Sequence, residues 1–336
     1  MTKRITINRT VSLVPGGDVP VRLPAGAGIL VENVIVRVVI TGQTTTAGTA
    51  VKLDAPGFAL AKLSVDYNGK IIQAMPGWYA WAGSPERDAA RVATVLGSDA
   101  SGLGVAPADA AVGVGKSCVS KFVVDFSTVD GLRPKDSALD MDALGQGGEA
   151  NLILSGCQWG DMFTGAAAGT FTNYTAYVTI TYIREQGVRD RDWTPPRTQK
   201  RVSYQTVDLS VAGDKELIMP RGGSLRSVTL RQSQTTVPSP VYAAFTHLRV
   251  ASLPDVFVDI DTVALYDKQI LDIGPKPVGA GGAYLTWDTT RDGSGVVALA
   301  DLIDTVKDAR DPRMTLTAAG LANTSAQAVF CDYTPV

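Results

Sequence analysis

Val11-Ser-Leu13-Val-Pro-Gly-Gly17-Asp18-Val-Pro-Val21-Arg-Leu23-Pro24 is written twice in this chain. In Val207-Asp-Leu209-Ser-Val-Ala-Gly213-Asp214-Lys-Glu-Leu217-Ile-Met219-Pro220 the apolar residues, the Gly-Asp pair and the proline all return, each displaced by 196 positions without a gap. Apolar residues at alternate positions on either side of a glycine-bearing turn describe two half-buried strands. After each proline comes another turn and a further alternating strand, Leu30-x-x-x-Val34-x-Val36-Arg37 in the first copy and Leu225-x-x-Val228-x-Leu230-Arg231 in the second.

The correspondence continues outward from this block. Phe122-Val-Val-Asp125-Phe-Ser-Thr-Val-Asp130-Gly131 matches Tyr284-Leu-Thr-Trp-Asp288-Thr-Thr-Arg-Asp292-Gly293 after one gap. Strands ending in glycine follow in both copies, Asn151 to Gly156 and Met314 to Gly320, and each copy closes on an alternating strand, Thr175 to Tyr182 and Ala326 to Tyr333. Recurrence of order, spacing and residue type is the signature of internal duplication. The chain is therefore expected to hold two homologous domains, 1–184 and 202–336, joined by 185–201. That joining stretch is basic and contains Trp193-Thr-Pro195-Pro196, which reads as a stiff, solvated linker.

Composition sets the class. The 336 residues suit two domains at roughly 150 residues each. Hydrophobic residues make up 45% and charged ones 19%, which excludes disorder and coiled coil. A formal charge of −2 excludes a protein that coats itself with nucleic acid through its net charge. Five glutamates stand against 28 aspartates, and 34 glycines and 18 prolines accompany them, so the acids and breakers mark turns rather than helices. Val, Thr and Ile dominate the apolar runs, and the class is all-β.

In the first copy strands are expected near 4–14, 29–41, 59–66, 69–75, 117–127, 150–156 and 174–184, with one more near 19–23 and a two-residue hairpin turn at Asn68-Gly69. About eight strands in about 180 residues suit a sandwich or jelly roll of two four-stranded sheets. The expected fold is two tandem eight-stranded jelly-roll barrels with short helices in the connections. Ser84-Pro85-Glu86 opens a capped helix over 85–96, and the apolar stripe Val297, Leu299, Leu302, Ile303, Val306 predicts an amphipathic helix over 297–309. Residues 101–115 form a long small-residue loop of the first copy alone.

Catalytic chemistry finds little to stand on. The single histidine, His247, lies on an alternating strand opposite Leu248, no G-x-S-x-G exists, and the reading is a surface histidine. Gly113-Val-Gly115-Lys116-Ser117 imitates the end of a phosphate-binding loop, but Ala110 replaces the first glycine and a strand follows where a helix is required. Asp255, Asp259 and Asp261 lack calcium-loop spacing and suit a charged strand edge. Cys118, Cys157 and Cys331 are too dispersed for a zinc site and read as core residues. No metal or cofactor is expected. No signal-like segment and no apolar run of about 18 residues occurs, so a soluble, unexported, disulfide-free chain is expected. Trp78-Tyr79-x-Trp81 is the one aromatic cluster, and core packing is its simplest use.

A tandem of two similar eight-stranded barrels, with helices in the connections and no catalytic constellation, resembles the double jelly-roll major capsid proteins of tailless icosahedral viruses, of the bacterial or archaeal type. The stretch Asp125-Phe-Ser-Thr-Val-Asp-Gly-Leu-Arg133-Pro134-Lys-Asp136, a strand running into a polar loop, is similar to these coats. The resemblance implies a non-enzymatic structural protein of the virion, a homotrimer forming a pseudo-hexagonal capsomer, and contacts with neighbouring capsomers and with penton or minor capsid proteins. It also implies an inner face towards membrane or genome, for which the N-terminal segment with Lys3, Arg4 and Arg9, read as a short basic arm ahead of the first strand, is the candidate contact, and outward loops, for which 97–117 is the candidate. The alternative is a tandem jelly-roll carbohydrate-binding or glycan-degrading protein using Trp78 and Trp81 as a sugar platform.

Overall fold

The computed structural model describes residues 2–43, 50–51, 55–83, 116–126, 138–142, 144, 147–164, 170–185, 198–234, 244–252, 254–273, 284–289, 303–305 and 312–335. The chain divides into two compact units, with strands up to Glu185 in the first and residues from Arg201 to Thr334 in the second.

The first unit holds β1 (Thr2–Ser12), β2 (Asp18–Arg22), β3 (Ile29–Gln43), β4 (Leu60–Tyr67), β5 (Lys70–Pro76), β6 (Lys116–Asp125), β7 (Ala150–Gly156) and β8 (Thr170–Glu185). They pair antiparallel in two sheets, in the orders β1-β8-β3-β6 and β2-β7-β4-β5. Strand one lies beside eight and two beside seven, three beside six and four beside five, which is a long hairpin wrapped into a jelly roll. The second unit repeats this with β9 (Thr198–Asp208), β10 (Gly213–Ile218), β11 (Ser224–Gln234), β12 (Phe245–Ser252), β13 (Asp255–Asp261), β14 (Tyr284–Asp288), β15 (Arg313–Ala318) and β16 (Thr324–Pro335). Its orders are β9-β16-β11-β14 and β10-β15-β12-β13, the same arrangement with every number raised by eight.

Period-two alternation builds each core. Val34, Val36, Val38 and Ile40 of β3 are buried, as are Ala176, Val178 and Ile180 of β8 and Leu152 and Leu154 of β7, while Arg37 and Tyr177 between them are exposed. In the second unit Val228, Leu230, Ala328 and Phe330 from one sheet and Leu248, Val250, Met314 and Leu316 from the other form one buried cluster. At about 1.5–3 kcal/mol per fully buried aliphatic or aromatic side chain, these two layers dominate the stability of their units.

Turn chemistry fixes the connections. Asn68 and Gly69 both have positive φ, the two-residue hairpin turn that joins β4 to β5. The glycines at the close of the seventh strand, Gly156 ending β7 and Gly320 two residues past β15, have a common cause. A Cβ on Gly156 would lie 2.1 Å from the Val14 carbonyl oxygen, and one on Gly320, which has φ +75°, would lie 2.9 Å from Ala212. In each unit this chain end passes hard against the turn that follows the first strand, and only glycine fits. Tyr174 ties the same region of the first unit together: its hydroxyl donates to the Ala59 carbonyl at 2.7 Å and accepts the Cys157 N–H at 2.7 Å. Burial raises its pKa, so it stays a neutral donor.

Helical expectations fared differently. Residues 85–96 and 101–115 lie outside the described residues. Within 297–309, Ile303–Asp304 is not helical but a short strand paired to Leu225 and Ser224 of β11. The first unit does the same with Leu139–Asp140, which pairs with Val31 and Leu30 of β3. A free sheet edge offered by a distant strand outweighed the local amphipathic period. The clear helix is α1, Thr262–Ile273, which the strand-like aspartates before it concealed. Asp261 accepts the N–H groups of Val263 and Ala264 as its cap, Leu265 is buried, and Gln269 accepts the Thr286 N–H of β14 at 2.7 Å. Of the expected linker 185–201, Glu185 ends β8 and Thr198 to Arg201 open β9, while 186–197 lie outside the described residues.

The third strand of each unit carries a bulge at the same place. Leu30 and Val31 pair with Ile183 and Tyr182, Asn33 with Thr181, and Glu32 is passed over. Leu225 pairs with Asp332, Ser227 with Cys331, and Arg226 is passed over. The bulge carbonyl accepts the N–H just after the sixth strand in both units, Phe126 to Glu32 at 2.9 Å and Thr289 to Arg226 at 2.8 Å. The bulged side chains are buried and opposite in charge. Arg4 grips Glu32 with two bonds, Nε at 2.6 Å and Nη2 at 2.9 Å. Arg226 lies 3.8 Å from Asp288 and donates to the Tyr333 hydroxyl at 3.2 Å. Nearby, Arg201 pairs with Asp332, whose carboxyl burial pushes above its ordinary range despite the arginine.

Two outcomes follow for thermal or urea unfolding. Tyr174→Phe removes the hydroxyl from two buried backbone groups and is expected to cost about 2–3 kcal/mol. Arg4→Ala leaves Glu32, 2% exposed, without its guanidinium. The expected loss is about 1–3 kcal/mol, partly recovered by Arg4→Ala combined with Glu32→Gln, because the neutral amide no longer needs the cation.

Candidate functional site

The residues singled out from the sequence fall on two sheet edges. Lys3, Arg4 and Arg9 form no arm ahead of the first strand: pairing with β8 begins at Thr2, so all three lie on β1, which ends its sheet, and all three are exposed. Alternation separates them. Arg4 lies opposite Ile183, which packs in a small separate cluster with Leu30 and Ala138, and is held by Glu32. Lys3 and Arg9 share the other face with Ile5, Ile7 and Val11, the face that continues towards the core through Val178 and Ile180. Charges placed on the inward face of an edge strand block indiscriminate strand addition. The structure thus does not gather the three into one basic cluster.

Asp255, Asp259 and Asp261 lie on β13, which ends a sheet of the second unit, and all are exposed. Asp259 pairs with His247, which is 40% exposed while its neighbour Leu248 is buried. The histidine is accordingly a surface strand residue hydrogen-bonded to a neighbouring carboxylate. Polar pairs run along the outward side of this sheet: Glu216 receives Arg313 at 2.6 Å and Asp214 receives Thr317 at 2.7 Å.

The remaining sequence candidates resolve individually. Ser117 lies within β6, so the Gly-Lys-Ser phrase runs into a strand rather than a phosphate-binding helix. Trp78 and Trp81 are buried, Trp78 completely, and a Cβ on Gly57 would lie 2.9 Å from the Trp81 ring. They pack the first unit and leave no sugar platform. Cys157 and Cys331 are buried free thiols. Among the described residues no group of three or more His, Cys, Asp or Glu is placed to hold a metal, and no helix is long and apolar enough to cross a membrane. Of loop 97–117, only Lys116 and Ser117 are described.

Sequence reasoning missed Glu32 and Arg226. The signal available was a charged residue interrupting an otherwise apolar strand at the same place in both copies, Val31-Glu32-Asn33 and Leu225-Arg226-Ser227.

Neither a protein-family model nor a curated protein matches the sequence. Solved structures do. The crystal structure of the STIV MCP is 13% identical with a TM-score of 0.68, over 100% of this chain and 97% of that one. PBCV-1 VP54, as fitted into a reconstruction of the virophage Sputnik, is 12% identical with a TM-score of 0.67, over 99% and 94%. The major capsid protein of bacteriophage PM2 is 12% identical with a TM-score of 0.53, over 100% and 98%. At such identities the likeness concerns architecture, and it spans both units: the chain has the double jelly-roll fold of these viral capsid proteins.

Proposed function

We propose that the chain is the major capsid protein of a tailless icosahedral virus, a structural protein without enzymatic activity that resides in the virion shell. The observation that carries this reading is the duplication: two units of identical strand order in one chain, matched over almost its full length by capsid proteins. Residues 1–184 and 202–336 are then the duplicated domains, joined by 185–201. Three copies of a two-barrel subunit around a three-fold axis present six similar barrels, a near-hexagonal block that tiles a closed shell. A single barrel would need six separate chains for the same outline. Partners are the chain itself, neighbouring capsomers, penton or minor capsid proteins at special positions, and membrane or genome at the inner face. Stability lodged in two separate cores, rather than in a ligand site, suits a building block.

Light scattering of the purified chain, followed by negative-stain imaging of the same peak, tests this. The expected result is a mass near three subunits with hexagonal outlines. A monomer at all accessible concentrations that is retained on a glycan column overturns it.

A further inference from the structure

The two charged edges are complementary. β1, Thr-Lys-Arg-Ile-Thr-Ile-Asn-Arg-Thr-Val-Ser, carries Lys3, Arg4 and Arg9 and no acid; β13, Asp-Val-Phe-Val-Asp-Ile-Asp, carries Asp255, Asp259 and Asp261 and no base. Each strand ends its sheet, and among the described residues nothing pairs its outer side. Lys3 and Arg9 are six positions apart, as are Asp255 and Asp261, so both charge sets span about 20 Å of extended chain. We propose that the β1 edge of one copy docks on the β13 edge of a second copy, and that this is the contact that closes the capsomer.

Long open edges are costly to leave exposed because their N–H and C=O groups template further strands. Here each edge bears charge of one sign. Two β1 edges repel, two β13 edges repel, and only β1 with β13 attracts, so the charges select a partner as well as supply one. The resulting contact is heterologous, since the surface on one copy differs from the surface it meets on the next. Heterologous contacts repeat head to tail from copy to copy and close a ring when the rotation fits. Backbone pairing between the edges supplies the directional bonds. Arg4 is already occupied by Glu32, which leaves Lys3 and Arg9 as the cations that meet the partner's edge. Asp261 holds the N-terminus of α1, so Asp255 and Asp259, the latter sharing its carboxylate with the exposed His247, are the acids to alter in a test.

The proposal rests on the coat-protein reading, and the experiment separates the two. Lys3→Glu with Arg9→Glu, and Asp255→Lys with Asp259→Lys, are compared with the wild type and with all four changes in one chain, by analytical ultracentrifugation at 0.15 M salt. Each two-residue reversal is expected to weaken association about 100-fold or more, and the fourfold swap to return to within about ten-fold of wild type. Wild-type association is also expected to fall at least about ten-fold between 0.05 and 0.5 M salt, a readout that needs no variant to fold. A trimeric wild type that is insensitive to salt, or reversals that leave its mass unchanged, overturn the edge contact while the coat reading stands. A wild type that never associates overturns both. Should Lys3→Glu with Arg9→Glu keep the trimer but lose flotation with anionic vesicles, the basic strand belongs to the inner face and the edge contact is likewise overturned.

Discussion

The pairing of the third strand with the eighth is the interaction on which each unit depends. It lies in the middle of its sheet, and in the first unit it runs from Ile29 with Arg184 to Gln43 with Thr170. Once that register is set, Val34, Val36 and Val38 fall on one face with Val178 and Ile180, and a slip by one residue would turn all of them to the outside. β1 and β6 then have one place each to add, and the second sheet has one apolar face to cover. The bulge beside Val31 is tolerated because its carbonyl is used at once by the strand on the other side.

That dependence explains why so much of the fold was legible. Strand register is written in alternation, and alternation repeated at a displacement of 196 is evidence that no single window supplies. Glycines 156 and 320 and the Asn68-Gly69 turn were readable because backbone geometry restricts residue choice there. Where the sequence misled, the deciding partner was remote. Ile303 carries a helical pattern with its neighbours, yet a free edge at Leu225 claims it. α1 follows Asp-Val-Phe-Val-Asp-Ile-Asp without a breaker, so its cap, Asp261, looked like the last residue of an alternating strand.

The candidate site shows the same division. That β1 is basic and β13 acidic can be counted from the sequence; that both are sheet edges cannot, because an edge is defined by what fails to pair with it. The faces of Lys3 and Arg9 follow from alternation, but the capture of Arg4 by Glu32, 28 positions away, depends on a bulge with no signature beyond a misplaced charge. Core packing was the simpler reading of Trp78 and Trp81, and the close approach of Gly57, remote in sequence, is what buries them.

A chain holding two copies of one topology can exchange equivalent strands while it folds, and similar strands make such errors costly to correct. The bulged residues bear on this. If the first strand of the first repeat were to settle in the barrel of the second, Arg4 would meet Arg226 where it normally meets Glu32. The buried guanidinium of Arg226 would then face a second cation where Arg4 normally meets a carboxylate, which disfavours the misassembled barrel relative to the correct one. Opposite charges at one shared position thus let the duplicated halves keep the same shape and still tell themselves apart.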